Sequence, residues 1–369
     1  MSKILFISAH APTNLYPQAG QKIALSHLDK YYHGSENNNH NNTDIDIIVI
    51  ANEIEINAAK DLVDKYKNNL LNYPLRKSDK IRNCLTNLSI PLKFSTRYQA
   101  SVVKKIEELI NINAYDIIHF EYSHAAVYLN KINDFIKHKT NFSNTHTIIS
   151  IHDVVSQSFL RKSATNLILG IEVARLFKFE KKLYSSVDEL WVLSKKDRNI
   201  LTSLFAIPES KILVKPPPLS EFIYKIKRNI ETIENKSLLF WAAMNRPENE
   251  QAAINFIQKC FTDLRKIDPE YKLYIVGSNP SAKIKQLENE NIVVTGFIEN
   301  PSHFFEKAQI GIVPLLQGAG IKLKTLEMLQ AGLPVISTSI GAEGIENSTN
   351  IFVNDNFGDW LNIITNLAI

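Results

Sequence analysis

The densest run of residues able to do chemistry is PLLQGAGIKLKTLEMLQAGLPVISTSIGAEG, at positions 314–344. An apolar stretch ends at Leu315, Gly318 and Gly320 flank Ala319, and Lys322 and Lys324 fall in the first turn of an expected helix. Glycines let a backbone approach a ligand closely, and the unpaired N–H groups at a helix start attract anions. On one continuous helix Gly320, Lys324 and Glu327 stand at i, i+4 and i+7 and share a face. Two turns would put Glu327 about 10 Å from Gly320. That distance lets a carboxylate accept hydrogen bonds from a ribose diol while a diphosphate sits at the helix start. The competing reading of the same residues is two solvated lysines and a surface glutamate paired with one of them.

Other candidates stand singly. Arg246 follows the apolar run SLLFWAA at 237–243. His152 and Asp153 close the run HTIISIHD, and Gly20 ends the loop HAPTNLYPQAG after the first apolar run. A lone histidine there is as readily a packed core residue, and an Asp after a strand is a common helix cap. The patch HGSENNNHNNTD at 33–44 matches no metal-ligand spacing and reads as a surface loop. Cys84 and Cys260 form no disulfide framework and fit a reducing compartment.

The elements that must position these residues are legible as continuous β-branched runs. They are KILFISA (3–9), IDIIVIA (45–51), YDIIHFE (115–121), HTIISIHD (146–153), ELWVLS (189–194) and KILVKP (211–216). After Pro216-Pro217-Pro218 comes a second series: SLLFWAA, KLYIVGS (272–278), NIVVTGF (291–297), IGIVPL (310–315) and PVIST (334–338). Such runs read as parallel strands buried on both faces. Helical stretches separate them, for example 21–32, 99–111 and 164–186. Strand–helix alternation predicts two α/β doubly wound domains, with ligands expected beyond the carboxyl ends of the strands. The expected division is an acceptor-side domain at 1–218, a linker at 219–236 and a nucleotide domain at 237–369.

The 369 residues suit about two domains, and 44% hydrophobic with 22% charged residues excludes wholesale disorder. No apolar run approaches the roughly 18 residues of a membrane span, and the six-residue run at 4–9 is too short for a secretory core. The net charge of +4 conceals residues 60–105, which carry +8 against −4 for the rest. Apolar residues interleave with the basic ones there, as on a surface that docks on an anionic membrane. The alternative is a solvated face of ordinary helices. No nucleic-acid-binding module accompanies the charge, so nucleic acid is not an expected partner.

The 314–344 segment resembles the nucleotide-sugar-binding stretch of glycosyltransferase family four, retaining enzymes of the group 1, glycogen-synthase-like type. Members read approximately G-x-G-x-x-x-K-x-x-E-A-x-A-x-G-x-P-V-V-x-T, matched here by Gly318, Gly320, Lys324, Glu327, Gly332, Pro334 and Thr338. WAAMNRPENEQAAINF, YIVGS, VVTGF, SIHD and LWVLSKKDRNIL are similar in register. The resemblance implies the GT-B fold, two Rossmann-like doubly wound domains facing a cleft. It implies a cytoplasmic enzyme that moves a sugar from a nucleoside-diphosphate sugar to a hydroxyl of a glycan or glycolipid acceptor, without metal or other cofactor. On that footing Lys322, Lys324 and the amides of Ala319, Gly320 and Ile321 meet the diphosphate, Arg246 adds a cation, and Glu327 takes the ribose. His152 borders the transferred sugar, and Gly20 admits the donor phosphates. Two departures stand out: Ala319 replaces a common donor-sugar glutamate, and Ala243 and Asn249 stand where an Arg…Lys phosphate pair is usual. Members also continue further past the equivalent of Gly344, so weaker domain closure is expected. The missing pair shifts the electrostatic burden onto Lys322, Lys324 and Arg246, while the missing glutamate and the short stretch after Gly344 support the alternative of a catalytically weak binding or chaperone subunit of a glycosylation complex.

Overall fold

The structure is a computed structural model that describes every residue except 1, 16–18, 34–42, 67–68, 138, 140–141, 143, 164–166, 347 and 368–369. Most of the expected polar surface loop, and the start of the helix expected from 164, therefore lie outside the described residues. The chain forms two compact units, Met1–Pro218 and Leu219–Ile369.

The first unit is built on a seven-stranded sheet: β1 (Lys3–Ser8), β2 (Asp44–Ala51), β3 (Leu70–Pro74), β4 (Ile117–Glu121), β5 (His146–Ile151), β6 (Glu189–Val192) and β7 (Ile212–Val214). Its order is β3-β2-β1-β4-β5-β6-β7, and every pairing is parallel. The β-branched runs become strands because both faces are covered. Leu5 and Ile7 of β1 enter one core and Ile4 and Phe6 the other, as the two-residue pleat requires.

The second unit carries β8 (Glu234–Trp241), β9 (Lys272–Val276), β10 (Ile292–Gly296), β11 (Ala308–Val313), β12 (Val335–Ser337) and β13 (Ile351–Val353). The order β10-β9-β8-β11-β12-β13 is again wholly parallel. Both units are thus Rossmann-like sheets, and each reverses strand order once, between β1 and β4 and between β8 and β11. The crevice beyond the strand ends at such a reversal is where ligands bind in this architecture. Close approach at these ends needs small residues: a Cβ on Gly277, after β9, would lie 1.9 Å from the Ala242 carbonyl oxygen.

Residues 219–236, expected as a linker, pack into the second unit. Ile223 is buried in its core. The Arg228 guanidinium donates to the carbonyls of Phe305 at 2.7 Å and Ala308 at 2.6 Å. The first strand of this unit starts at Glu234 rather than Ser237, because Glu234 pairs with Ala308 across a register shift and its carboxylate meets Lys272 at 2.7 Å.

Candidate functional site

In the second unit β11 runs into the glycine turn, and the helix that follows spans Leu323–Gln330. It begins three residues after Gly320 rather than at it. Gly318 and Gly320 have φ of +131° and +71°, backbone that cannot continue a right-handed helix. Lys322 becomes the N-cap residue and folds its ammonium back onto the carbonyl oxygens of Ala319 at 3.1 Å and Gly320 at 2.5 Å. It also pairs with the buried Glu343 at 3.6 Å. The N–H groups of Ala319, Gly320 and Ile321 have no hydrogen-bond partner among the described residues. Three unpaired amides at a turn leading into a helix form an anion-binding concavity.

Lys324, one residue into that helix, donates to Asn249 Oδ1, and Asn249 Nδ2 in turn donates to the Ala243 carbonyl at 2.7 Å. Burial depresses the Lys324 ammonium to a pKa of about 7, and the charges of Arg246 and Lys322 push the same way. Glu248 counteracts them. Arg246 caps the helix Pro247–Phe256, is half exposed and meets Glu248 at 3.7 Å. Three cations thus face two carboxylates, Glu343 and Glu248, beside the open amides. A desolvated ammonium crowded by like charge gains most from an incoming anion.

Glu327 is buried rather than a surface residue. Its Oε1 accepts from the Ser220 N–H at 3.1 Å and the Ser220 hydroxyl at 2.7 Å, and its Oε2 accepts from the Trp241 indole at 2.7 Å. A carboxylate offers about four acceptor positions, so this one is nearly filled by the protein. Thr325 ties the same helix to the Gly341 carbonyl at 2.7 Å. Gly341 has no room for a side chain, since a Cβ would lie 2.3 Å from Ser337 Oγ.

In the first unit Gly20 and His152 come together. A Cβ on Gly20 would sit 2.8 Å from the Tyr122 hydroxyl and 3.4 Å from His152 Nδ1. The Tyr122 ring lies 3.9 Å from the His152 ring, centroid to centroid. His152 Nε2 donates to Glu121 Oε1 at 2.5 Å. Glu121 is fully buried at the end of β4 and also meets His27 Nδ1 and His119 Nε2, each at 3.0 Å. Burial alone would raise its pKa, but the charge of His27 and the hydrogen bonds of His119, His152 and His27 outweigh it, holding the carboxyl well below the usual range. Beside it His10 bridges Glu55 at 2.9 Å and Arg97 at 3.1 Å. Burial, then the Arg97 charge, lowers the His10 pKa to about 4.

Among the described residues, one trio of potential ligand atoms gathers closely enough for a metal: His27, Glu121 and His152, within 4.8 Å of one another. Ligands of one tetrahedral ion with ~2.1 Å bonds stand about 3.4 Å apart. Glu121 lies closer than that to both imidazoles, at direct hydrogen-bond distance. These contacts use the lone pairs an ion would need.

Of the residues expected from sequence, Gly318, Ala319, Gly320, Ile321, Lys322, Lys324 and Arg246 belong to one electrostatic neighbourhood at the β8–β11 reversal, with Glu327 behind it. Gly20 and His152 share the β1–β4 reversal of the other unit. Sequence reasoning passed over Glu121, His27, His119, Tyr122, Trp241 and Ser220. The histidine two residues before Glu121, in HFE, was the one local signal.

Two parallel Rossmann-like sheets, each with polar residues gathered at its strand-order reversal, define a GT-B protein. Anabaena Alr3699/HepE, solved in complex with UDP, superposes with a TM-score of 0.63 at 14% identity, over 99% of this chain and 89% of that one. The lipopolysaccharide outer core galactosyltransferase WaaB, in its apo form, gives 0.62 at 12% identity, over 99% and 90%. Residues 235–368, nearly the whole second unit, match the family described as Glycosyl transferases group 1. A Klebsiella pneumoniae protein described as an uncharacterized 44.6 kDa protein in the cps region is 25% identical over 361 residues, covering 93% of this chain and 84% of that protein. Among the described residues, no helix is long and apolar enough to cross a membrane.

Proposed function

We propose that the chain is a retaining, metal-independent glycosyltransferase that moves a sugar from a UDP-sugar to a hydroxyl of a glycan or glycolipid acceptor in envelope or capsule polysaccharide synthesis. One observation carries this reading: the open amides of Ala319, Gly320 and Ile321 beside Lys322, Lys324 and Arg246. That constellation suits a diphosphate leaving group, whose developing charge preorganised donors stabilise without a metal. UDP is favoured as the nucleotide because HepE was also solved with UDP-glucose, and capsule synthesis because the Klebsiella relative is described as lying in a cps region. Glu327 takes one ribose hydroxyl on its remaining acceptor position, or both if Ser220 yields. His152 and Gly20 of the first unit serve the sugar end of the donor.

The acceptor is proposed to be membrane-borne. Ile81 and Leu85, one turn apart on the helix Lys77–Thr86, and nearby Leu88 are 63%, 69% and 71% exposed. Arg76, Lys77 and Arg82 flank them. Exposed apolar side chains among cations suit the interface of an anionic bilayer. Flotation with phosphatidylglycerol vesicles should carry the protein, and replacing Ile81 and Leu85 by Ser should release it. Equal recovery with neutral phosphatidylcholine vesicles would remove the electrostatic part.

The transfer reading is tested by incubating the purified chain with a panel of UDP-, GDP- and TDP-sugars and measuring free nucleotide. Release from one UDP-sugar, raised by acceptor, is expected. Tight UDP binding with no turnover of any donor would favour a catalytically weak binding subunit, which Ala319 in place of a donor-sugar glutamate also favours.

A further inference from the structure

We propose that Glu121 is a positioning residue for His152: it holds the imidazole with the proton on Nε2 and turns the Nδ1 lone pair toward Gly20. The inference rests on the reading above, in which His152 works at the sugar end of the reaction, and adds the group that makes it competent.

The geometry carries the assignment. Glu121 Oε1 lies 2.5 Å from His152 Nε2. An ionised carboxylate only accepts, so the imidazole nitrogen facing it must carry the proton. The other nitrogen, Nδ1, is then the acceptor, and it lies 3.4 Å from where a Cβ of Gly20 would stand. Glu121 cannot swing away. His27 from the helix Ala19–His33 and His119 from its own strand hold its Oε2, each at 3.0 Å. Ser150 of β5 holds His119 in turn, at 2.9 Å. Tyr31 fixes the far side of His119 at 2.8 Å. A buried carboxylate braced by two imidazoles and presenting one oxygen to a third is more than packing needs. An apolar side chain at the end of β4 would fill the space without charge burial.

Tyr122 completes the support. It follows Glu121 at φ +69° and ψ 142°, backbone essentially reserved for glycine, yet carries a ring whose centroid lies 3.9 Å from that of His152, the two planes tilted by 31°. Strain of that kind persists only where the surroundings impose it. Gly20, Tyr122 and Glu121 together pack around the His152 ring and restrict its orientation.

The test is Glu121→Gln in the intact chain, read by ¹⁵N-resolved histidine NMR and by steady-state kinetics. The amide side chain can donate to Nε2, so His152 should pass to the Nδ1–H tautomer. Sugar transfer should fall about 10–100-fold in kcat, the scale of a group displaced from its working geometry, with KM for the nucleotide sugar and the affinity for UDP unchanged. In a His152→Ala background the same substitution should have no further effect on kcat, since the two act as one unit. Glu121→Asp, which keeps the charge and sets it back by one methylene, should retain the Nε2–H tautomer and recover part of the rate, and stands in should the Gln variant fold poorly. An unchanged tautomer in Glu121→Gln would overturn the positioning role. A switched tautomer with an unchanged kcat would instead overturn the part given to His152 in the reaction, leaving nucleotide binding by the second unit untouched.

Discussion

At the residue scale the electrostatics of the second unit turn on Lys324. With its pKa depressed to about 7 by burial and by Arg246 and Lys322, this ammonium is largely neutral in the free protein at pH 8. A bound diphosphate raises its pKa again, so binding takes up a proton in the window above about pH 7. By linkage, affinity for UDP must then fall as pH rises through that window, by up to about tenfold per pH unit. Below pH 7 Lys324 is charged in both states and contributes no slope. Isothermal titration from pH 7 to 9 should show this dependence in the parent chain and lose it in Lys324→Met; parallel slopes in the two proteins would remove Lys324 from the site. The same depressed pKa bears on the free protein with a definite sign. Between about pH 7 and the ordinary lysine value near 10.4 the unfolded chain binds more protons than the folded one, so stability from this group rises with pH there. Glu327 makes a separate case. Its removal leaves the Ser220 N–H, the Ser220 hydroxyl and the Trp241 indole without their acceptor. Glu327→Ala should therefore cost about 2–4 kcal/mol of stability by urea denaturation, besides weakening UDP. A loss below about 0.5 kcal/mol would mean that these bonds to Glu327 are weak.

At the scale of elements, the strand ends fix the site, and glycine without a substitute is their signature. Gly277→Ala should destabilise the second unit by about 3 kcal/mol or abolish soluble expression, because its Cβ would overlap the Ala242 carbonyl oxygen; a melting temperature within 2 °C of the parent (roughly the shift of 1 kcal/mol) would contradict that. Most strands were legible in sequence because their apolar runs are continuous: β1, β2, β5, β9 and β11 fall within two residues of the reading at either end. β3 and β13 were not. LLNYP is short, half exposed and carries Asn and Pro, and IFV has three residues, so neither shows the buried run that marks a central strand. The glycine turn and Lys324 were legible because their chemistry is local in sequence. Glu121 was not, because its meaning depends on register. Only the pairing of β4 with β5, which sets Glu121 opposite Ser150, and the docking of a helix 94 residues away bring His152 and His27 around it. The start of the helix at Leu323 was misjudged by three residues because spacing cannot reveal a positive φ.

At the scale of the whole molecule, residues 219–236 belong with the second unit. A fragment of residues 219–369 is expected to fold and bind UDP alone. A fragment of 237–369 loses Ser220, Ile223 and the Arg228 contacts and should be markedly less stable in thermal unfolding. Equal melting temperatures for the two would mean that the segment contributes nothing. The basic, apolar-studded surface of residues 60–105 lies in the other unit, so vesicle binding should survive in the intact chain when Lys324 is replaced. The most direct test of the central claim is calorimetric titration of UDP into the intact chain and into Lys324→Met at pH 7. Saturable one-to-one binding in the parent, weakened at least about tenfold (roughly the 1.4 kcal/mol of one charge-assisted hydrogen bond) in the variant, is the predicted result. No heat with UDP, GDP or TDP, or the same affinity in both proteins, would contradict it.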